Sequence, residues 1–307
     1  MSDTARTCCL KVDVDTHDGM RDGVPRLLDT FKAFGVRATF FLAFGPDNAG
    51  KAIWNVFRQR GFLTKMLRTG APKLYGWRTM LSGTLLPARL IAAKFPGLVR
   101  RIAAEGHEVA VHAWDHRLWQ DHLGRLSRLA IEEQFARAFE AFERILGRRP
   151  KAVAAPAWRA TVASLRVQDT LGLLYASDVR GGPPGYPEFE GYCSTTLQIP
   201  TTQPCLEELL TLGRRDLASC ADELLAPCGL ATQVIPIHAE VEGGAYHSFL
   251  QMLLQRLRTS DISIQTMETY AEVILSAPSA PAPFPASLQP LPGRAGRVLA
   301  PFLPPAD

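Results

Sequence analysis

Two kinds of apolar pattern alternate along most of the chain. Short runs of consecutive apolar residues are typical of buried strands, whereas apolar residues spaced three and four apart are typical of one face of a helix. The runs predict strands at residues 8–14, 37–43, 107–112, 151–155, 174–177 and 231–238. The helical spacing predicts helices at residues 24–34, 97–104, 129–146, 162–171 and 246–258. This alternation predicts an α/β fold whose parallel sheet closes, or nearly closes, into a distorted barrel.

A basic segment interrupts this alternation. Between Asn48 and Ala104 there is no Asp or Glu, and basic residues are interleaved with aromatic and aliphatic ones at helical spacing. Its basic residues are Lys51, Arg58, Arg60, Lys65, Arg68, Lys73, Arg78, Arg89, Lys94, Arg100 and Arg101. Such a composition is typical of an amphipathic insertion, here about residues 46–96, that docks on an anionic membrane surface. A solvated helix face is the plain alternative, and nucleic-acid binding is disfavoured because no nucleic-acid motif accompanies the segment.

The C-terminal segment has a different composition. Residues 277–307 are rich in Pro and Ala, which predicts a largely disordered tail after a folded domain at residues 1–276. We assign this tail no function.

The overall composition indicates the size of the core and the surroundings in which the protein works. The chain has 307 residues, of which 47% are hydrophobic, and this is enough for one large core. Six cysteines without a CxxC pair predict reduced thiols and no structural disulfide. The first residues do not resemble a secretion signal, and no apolar run reaches the roughly 18 residues that a spanning helix needs. We therefore expect a soluble or peripheral protein.

Two acids follow the first predicted strand. Because side chains alternate along a strand, Asp13 and Asp15 project to the same side. One acid can hold a metal ion while the other accepts a proton from an activated water. Exposed strand ends often carry acids, so the pair alone is weak support for a site.

A pair of histidines follows the third predicted strand. His112 and His116 are four residues apart, which places both rings on one face of a helical turn. Two imidazoles and a carboxylate form a common site for a divalent ion. The spacing therefore predicts a metal centre, in which either acid of the first strand can be the third ligand.

Further polar residues end the later strands. Trp158 and Arg159 follow one strand, Asp178 ends the next, and His238 and Glu240 end a later one. A late histidine is suited to protonate a leaving amine if an acid orients its other nitrogen. Asp178 is a candidate for that acid, and Arg159 is a candidate to pair with Asp13. Structural ion pairing is the alternative for both.

The order of these motifs resembles the NodB-homology polysaccharide deacetylases, carbohydrate esterase family 4. The motifs are LKVDVDTHDG, EVAVHAWDHRLWQDH, AAPAWRA, YASDVRG and IPIHAEVEGG, and the resemblance runs over about residues 8–275. It implies Asp13 as general base, the metal triad Asp15, His112 and His116, Arg159 positioning the base, Asp178 orienting the acid, and His238 as general acid. Because Val14 separates two acids that are adjacent in the usual motif, the roles of Asp13 and Asp15 can be exchanged, and Asp18 is a further candidate.

Within this family the motifs are similar to a deformylase branch. That similarity implies removal of formyl from a polyprenyl phosphate-linked formamido-arabinose at the cytoplasmic face of the inner membrane, for lipid A modification and resistance to cationic peptides. It implies a divalent metal ion, with zinc as the default and cobalt, manganese or nickel as alternatives. We expect Trp158 to exclude acetyl and Glu240 to contact the sugar, with no obligate protein partner. The rival functions are deacetylation of a soluble or wall-type amino sugar and non-catalytic binding of a lipid phosphate.

Overall fold

A curled parallel sheet surrounded by helices forms the body of the protein. The computed structural model describes residues 6–50, 82 and 87–302. Its strands are β1 Arg6–Val14, β2 Thr39–Ala43, β3 Glu108–Ala113, β4 Ala152–Val153, β5 Tyr175–Ala176, β6 Tyr186–Phe189, β7 Tyr192–Cys193, β8 Thr232–His238, β9 Ile262–Gln265, β10 Pro283–Pro290 and β11 Arg297–Pro301. The main sheet has the order β5-β4-β3-β2-β1-β8, with β9 also paired to β1. This is the distorted (β/α) barrel that the sequence predicts.

The first strand is an interior strand of this sheet. One edge of β1 pairs with β8, from Thr7 opposite Thr232 to Asp13 opposite His238. The other edge is shared, because β9 pairs with Arg6–Cys9 and β2 pairs with Lys11–Val14. A strand with both edges paired and both faces covered is buried throughout, which explains the near-continuous apolar run in its sequence. The carboxyl ends of β1 and β8 consequently meet.

Helices cover the outer face of the sheet. They are α1 Val24–Phe34, α2 Pro96–Ala104, α3 His116–His122, α4 Arg128–Leu146, α5 Val162–Gln168, α6 Leu206–Thr211, α7 Leu217–Leu225, α8 His247–Thr259 and α9 Met267–Ser276. The longest, α4, begins at Ser127, whose hydroxyl accepts a hydrogen bond from Ala130 N, and ends at Gly147 in the left-handed region. Its apolar face packs against the sheet through Phe135, Phe139 and Phe142. No helix in the described part of the chain is long and apolar enough to cross a membrane.

The ends of the basic insertion come together beside the sheet. Pro46 forms an antiparallel bridge with Leu90, and the Ser82 hydroxyl donates a hydrogen bond to the Asp47 carbonyl. Residues 51–81 and 83–86, which carry most of the basic and aromatic positions of the predicted insertion, lie outside the described residues. The insertion therefore leaves and rejoins the body at one place.

The Pro/Ala-rich C-terminal segment forms strands, so the prediction of a largely disordered tail is wrong for residues 277–302. Strands β10 and β11 pair antiparallel, and β10 also pairs with β6. Val298 and Leu299 are buried, and Leu299 packs against Leu165 and Val179. Composition indicated disorder because it counts Pro and Ala, whereas a few well-placed apolar residues find a buried surface supplied by distant segments. Residues 303–307 lie outside the described part.

Candidate active site

A cavity of about 380 Å³ opens at the carboxyl ends of β1, β3 and β8. A volume in this range suits a small ligand such as a sugar. The predicted site residues that line it are Asp13, Asp15, His112, His116, Trp158, His238 and Glu240. Arg159, Asp178 and the further candidate Asp18 do not line it. The polar residues at the strand ends therefore share one site.

Asp15, His112 and His116 form a compact group of metal-ligand atoms. His112 lies near the end of β3 and His116 begins α3, where the Asp115 side chain accepts a hydrogen bond from Leu118 N as the helix N-cap. Nε2 of His112 is 3.3 Å from Asp15 Oδ1, and Nε2 of His116 is 3.2 Å from Asp15 Oδ2. Donor atoms that bind one zinc-sized ion at about 2.1 Å are separated by about 3 Å or slightly more. The spacing thus fits a shared ion.

The hydrogen bond behind His112 strengthens this fit. Its Nδ1 lies 2.9 Å from the Ala154 carbonyl oxygen, so Nδ1 carries the proton and donates it. In the neutral ring Nε2 is then an acceptor, and it faces the buried Asp15 Oδ1, which has no hydrogen-bond partner among the described residues. Two facing acceptors repel unless a cation lies between them. Asp15, rather than Asp13, is the acid in contact with both histidines, and the group is suited to a divalent ion.

Cys205, Glu207 and His238 also bring ligand atoms together. Burial raises the pKa of the Cys205 thiol well above its usual range, and metals bind the thiolate rather than the thiol. Glu207 and His238 are already engaged with one another as an ion pair. The group at Asp15 is therefore the better candidate for the metal centre.

Asp13 is paired with a buried lysine. Nζ of Lys11 lies 2.6 and 2.5 Å from the two Asp13 carboxylate oxygens, and both side chains are buried. Lys11 precedes Asp13 by two residues on β1, so both side chains project to the same face. A cation at this distance offsets the cost of burying the Asp13 charge. Lys11 was not predicted, although its i, i+2 spacing from Asp13 is a usable signal.

His238 has a carboxylate partner that the sequence did not indicate. Its Nδ1 lies 3.0 Å from Oε1 of Glu207, which stands at the start of α6. Burial disfavours the charged imidazole, but the Glu207 carboxylate outweighs this and holds the pKa of His238 well above its usual range. The backbone N–H of His238 donates to Glu242 Oε2 at 2.8 Å. This environment favours the protonated imidazole, which is suited to donate a proton from Nε2.

The prediction that Asp178 orients His238 is wrong. Its carboxylate accepts hydrogen bonds from Ala155 N at 2.7 Å and from Gln168 Nε2 at 2.6 Å. Burial raises the pKa of Asp178 to about 6. These contacts tie the end of β4 to α5, so Asp178 supports the scaffold and Glu207 holds the histidine.

The prediction that Arg159 pairs with Asp13 is also wrong, because Lys11 takes that position. Ala157 and Trp158 both have left-handed φ angles, 55° and 51°, and this turn directs the indole to the cavity. The Arg159 guanidinium instead faces the C-terminal hairpin, where a Cβ on Gly296 would lie 3.1 Å from Nη1.

The left-handed φ angles of Ala157 and Trp158, two successive non-glycine residues, are energetically costly. Such backbone strain is typical of a functional loop.

Trp158 and Glu240 form a further part of the cavity wall. The Trp158 indole N–H donates to Thr201 Oγ1 at 2.9 Å, which fixes the ring. Oε2 of Glu240 is buried and has no hydrogen-bond partner in the described part of the chain. An acceptor of this kind beside the metal group is available to a ligand hydroxyl.

The C-terminal hairpin supplies the last wall, through Gly293, Arg294 and Ala295. Nη1 of Arg294 lies 3.1 Å from Oε1 of Glu208 on α6. Neither α6 nor this hairpin was predicted. The start of α6 carries the Glu of a capping box, since Glu208 Oε2 accepts from Cys205 N, but a Cys at the N-cap conceals the usual Ser or Thr signature.

Known proteins resemble the chain over most of its length. A protein of Shewanella sediminis named as a 4-deoxy-4-formamido-L-arabinose-phosphoundecaprenol deformylase is 34% identical over 261 residues, covering 84% of this chain and 83% of its own. A protein of Wigglesworthia glossinidia brevipalpis with the same name is 30% identical over 231 residues, covering 74% and 80%. Both alignments are long enough to establish kinship.

The family profile and a solved structure agree with these relatives. The crystal structure of a Mycobacterium smegmatis protein described as a polysaccharide deacetylase superposes with a TM-score of 0.61 at 18% identity, covering 90% of this chain and 93% of that one. This likeness concerns the fold. The profile described as polysaccharide deacetylase matches residues 13–176, from Asp13 to the last residue of β5. The chain therefore belongs to the polysaccharide deacetylase family and is a hydrolase of amide carbon–nitrogen bonds.

Proposed function

We propose that the chain is a metal-dependent deformylase of undecaprenyl phosphate-linked 4-deoxy-4-formamido-L-arabinose. The products are formate and the 4-amino-4-deoxy-L-arabinose lipid. One observation carries the proposal: a metal-competent triad, a buried carboxylate and a protonated histidine line the same sugar-sized cavity. The names of the two curated relatives support the choice of substrate.

The proposed reaction creates a positive charge on a lipid-linked sugar. After transfer to lipid A, this charge reduces the anionic character of the outer surface, which explains a role in resistance to cationic peptides. The substrate is embedded in lipid, so we place the protein peripherally on the cytoplasmic face of the inner membrane.

Asp15, His112 and His116 would hold the metal ion. When bound, a divalent ion there supplies Lewis acidity, which polarises the formyl oxygen and lowers the pKa of a water. The Ala154 carbonyl keeps the His112 ring in the tautomer that this role needs. Zinc is the default, and cobalt, manganese and nickel also suit the donor set.

Asp13 is the general base in this scheme. As the water oxygen bonds to the formyl carbon, the Asp13 carboxylate accepts the water proton. Lys11 holds the carboxylate in place and offsets its buried charge. The backbone of Asp13 lies opposite that of His238 on the neighbouring strand, so base and acid stand side by side.

His238 is the general acid. When the carbon–nitrogen bond breaks, its Nε2 proton passes to the sugar nitrogen, and formate and the free amine leave. Glu207 stabilises the charged imidazole before the transfer and fixes Nδ1 during it. Glu207 is a positioning residue, since it acts through His238.

The wall formed by Trp158 selects the formyl group in this proposal. The indole is held by Thr201 and contacted by the side chains of Lys11 and Arg180, so it cannot easily retreat. Acetyl exceeds formyl by one methyl group, and exclusion of a group this small is worth about 10- to 200-fold in specificity.

The test is formate release from the formamido lipid in detergent by the metal-loaded protein. Loss of one outer partner of a metal ligand already costs about 10- to 100-fold, so His112→Ala should lower the rate by at least about a hundredfold. The matched control is His122→Ala, because His122 is an exposed histidine on α3 outside the metal group. Formate release that is equal in both variants would contradict the assignment. Acetate release from a soluble amino sugar, without formate release from the lipid, would favour the deacetylase function instead.

A further inference from the structure

The charges of three side chains beside the cavity do not sum to zero. Glu208 on α6 accepts one hydrogen bond on each oxygen from Arg180, both at 2.9 Å. Arg294, in the turn between β10 and β11, adds a third contact to the same carboxylate at 3.1 Å. Two guanidinium groups thus share one carboxylate, and the three side chains together carry a net charge of about +1.

The unbalanced charge lies at Arg294. Arg180 is buried away from the cavity, with both Nη atoms bound to Glu208 and Nη2 also bound to the Gln203 carbonyl. Arg294 lines the cavity, and its Nε is buried with no hydrogen-bond partner among the described residues. The positive end of the cluster therefore faces the ligand space.

The backbone that carries Arg294 is held firmly against α6. Gly293 has φ +77°, and a Cβ there would lie 2.4 Å from the Glu208 carbonyl oxygen. No other residue fits so close a contact in the left-handed region. The hairpin turn is consequently fixed, and Arg294 is presented in one place.

Arg294 and Lys11, the partner of the proposed base, both lie close to the Trp158 indole. Its Cζ is 4.4 Å from the centroid of the Trp158 ring. Nζ of Lys11, the partner of Asp13, is 5.1 Å from the same ring. Arg294 and the Lys11–Asp13 pair therefore share the Trp158 indole as a neighbour, and Arg294 lines the same cavity as His238.

The cavity needs a cation if its ligand is anionic. The acidic side chains that line it are Asp13, Asp15, Glu207, Glu208 and Glu240. Among the lining residues the other guanidinium, Arg117, is paired with Asp121 at 2.6 Å, whereas Arg294 shares the Glu208 carboxylate with Arg180. Three of these acids, Asp13, Glu207 and Glu208, are already paired with Lys11, His238 and Arg180, so Arg294 is the cation best placed to attract a phosphate.

We infer that Arg294 binds the phosphate group that links the sugar to the lipid, so that the C-terminal hairpin is part of the substrate-binding site. This inference rests on the proposed function, because it takes the phosphate from the proposed substrate. A guanidinium presents paired N–H donors that match phosphate oxygens. Binding of the phosphate to Arg294 fixes the end of the sugar that is opposite the formamide group.

The experiment compares two substrates in each variant. The first is the lipid phosphodiester, and the second is the neutral methyl glycoside of the same formamido sugar. Because a hydrogen bond to a charged group is worth about tenfold or more, Arg294→Ala should lower the preference in kcat/KM for the phosphodiester by at least about tenfold. Arg294→Lys keeps the charge and should retain part of the preference. Arg297→Ala is the matched control, an exposed arginine of β11, and should leave the preference unchanged.

A binding measurement separates failure of this inference from failure of the proposed function. Undecaprenyl phosphate and undecaprenol in detergent micelles are titrated against the protein, with inorganic phosphate as competitor. We expect tighter binding of the phosphate lipid and loss of the difference in Arg294→Ala, whether or not formate is released. Equal binding of both lipids, or a loss in Arg294→Ala that is the same for both substrates, would overturn the inference. Equally tight binding of inorganic phosphate alone would overturn the assignment to a lipid phosphate.

Discussion

The pairing of His238 with Glu207 determines whether the His238 imidazole is protonated at the start of the proposed reaction. A buried imidazole on its own is neutral at neutral pH, because burial disfavours charge. The carboxylate 3.0 Å from Nδ1 reverses this preference and raises the pKa of His238 well above its usual range. The same pair lowers the pKa of Glu207 despite its burial. The acid of the proposed mechanism thus depends on a residue that acts through the imidazole.

Glu207→Gln tests this role through the pH profile. Without the carboxylate the pKa of His238 falls, so the proton needed by the leaving amine is lost at lower pH. We expect the alkaline limb of kcat/KM to move to lower pH and kcat to fall about 10- to 100-fold, as for other residues that orient a catalytic group. The pH dependence of formate release measures both effects.

Asp178→Asn is the matched control for that experiment. Asp178 contacts Ala155 and Gln168 rather than His238, so its removal should leave the alkaline limb in place even if it lowers stability. An alkaline limb that moves with Asp178→Asn and stays with Glu207→Gln would restore the assignment made from the sequence.

At the scale of elements, α6 joins the cavity to the C-terminal hairpin. Successive residues of a helix point about 100° apart, since a turn has about 3.6 residues. Glu207 therefore reaches into the cavity while its neighbour Glu208 reaches Arg180 and Arg294. Burial opposes ionisation of Glu208, but the two guanidinium groups outweigh it and lower its pKa to about 2.

This ion cluster makes an acid-sensitive contribution to stability. The folded pKa of Glu208 is below the unfolded value, so its stabilisation is present above about pH 4.3 and is lost as pH falls toward about 2. Breaking a buried pair costs about 3 kcal/mol, so Glu208→Gln should lower the free energy of unfolding by about that amount at pH 6. The gap between variant and parent should shrink by up to about 1.4 kcal/mol per pH unit below about pH 4.

Urea denaturation of metal-free protein between pH 6 and pH 3 measures this gap. Glu133→Gln is the control, because Glu133 makes an exposed ion pair with Arg137 on α4 and such pairs contribute little. A gap for Glu208→Gln that is constant over this pH range would contradict the account.

The elements that the sequence predicted are those whose signal is local. The apolar run of β1 and the apolar face of α1 are legible in a single segment, and α1 spans the predicted residues 24–34. Strands β6, β7, β10 and β11 are short, proline-containing or paired with distant segments, so no local pattern marks them. The histidine pair of the candidate metal group was predicted because its i, i+4 spacing is local. The partner of His238 differs from the prediction because tertiary packing brings Glu207 to it, whereas Lys11, the partner of Asp13, had a local i, i+2 signal.

At the scale of the whole molecule, the point where the chain enters the basic insertion lies at the cavity. Pro46, Asn48 and Ala49 line the cavity where the insertion leaves the body, and Leu90 pairs with Pro46 where it returns. We propose that residues between 46 and 96 dock the protein on the membrane. Docking at this position brings the cavity mouth to the bilayer that contains the proposed substrate.

Salt dependence of vesicle binding tests the docking proposal. Each basic residue near an anionic surface contributes about 1 kcal/mol, and this attraction is screened by salt. Binding to vesicles with anionic lipid should therefore weaken steeply with salt, and it should fall when the basic residues between 51 and 81 are replaced by Gln. Replacement of the exposed Arg128, Arg137 and Arg144 of α4 is the control. Sedimentation that is indifferent to salt and to the insertion would contradict docking.

The most direct test of the central claim is competition between formyl and acetyl forms of the lipid-linked sugar. The metal-loaded protein receives both in equal amounts, and formate and acetate are quantified together, beside His112→Ala and His122→Ala. The proposed function predicts formate in excess of acetate by about tenfold or more, with both lost in His112→Ala only. Acetate released as fast as formate, or formate released equally by His112→Ala, would contradict it.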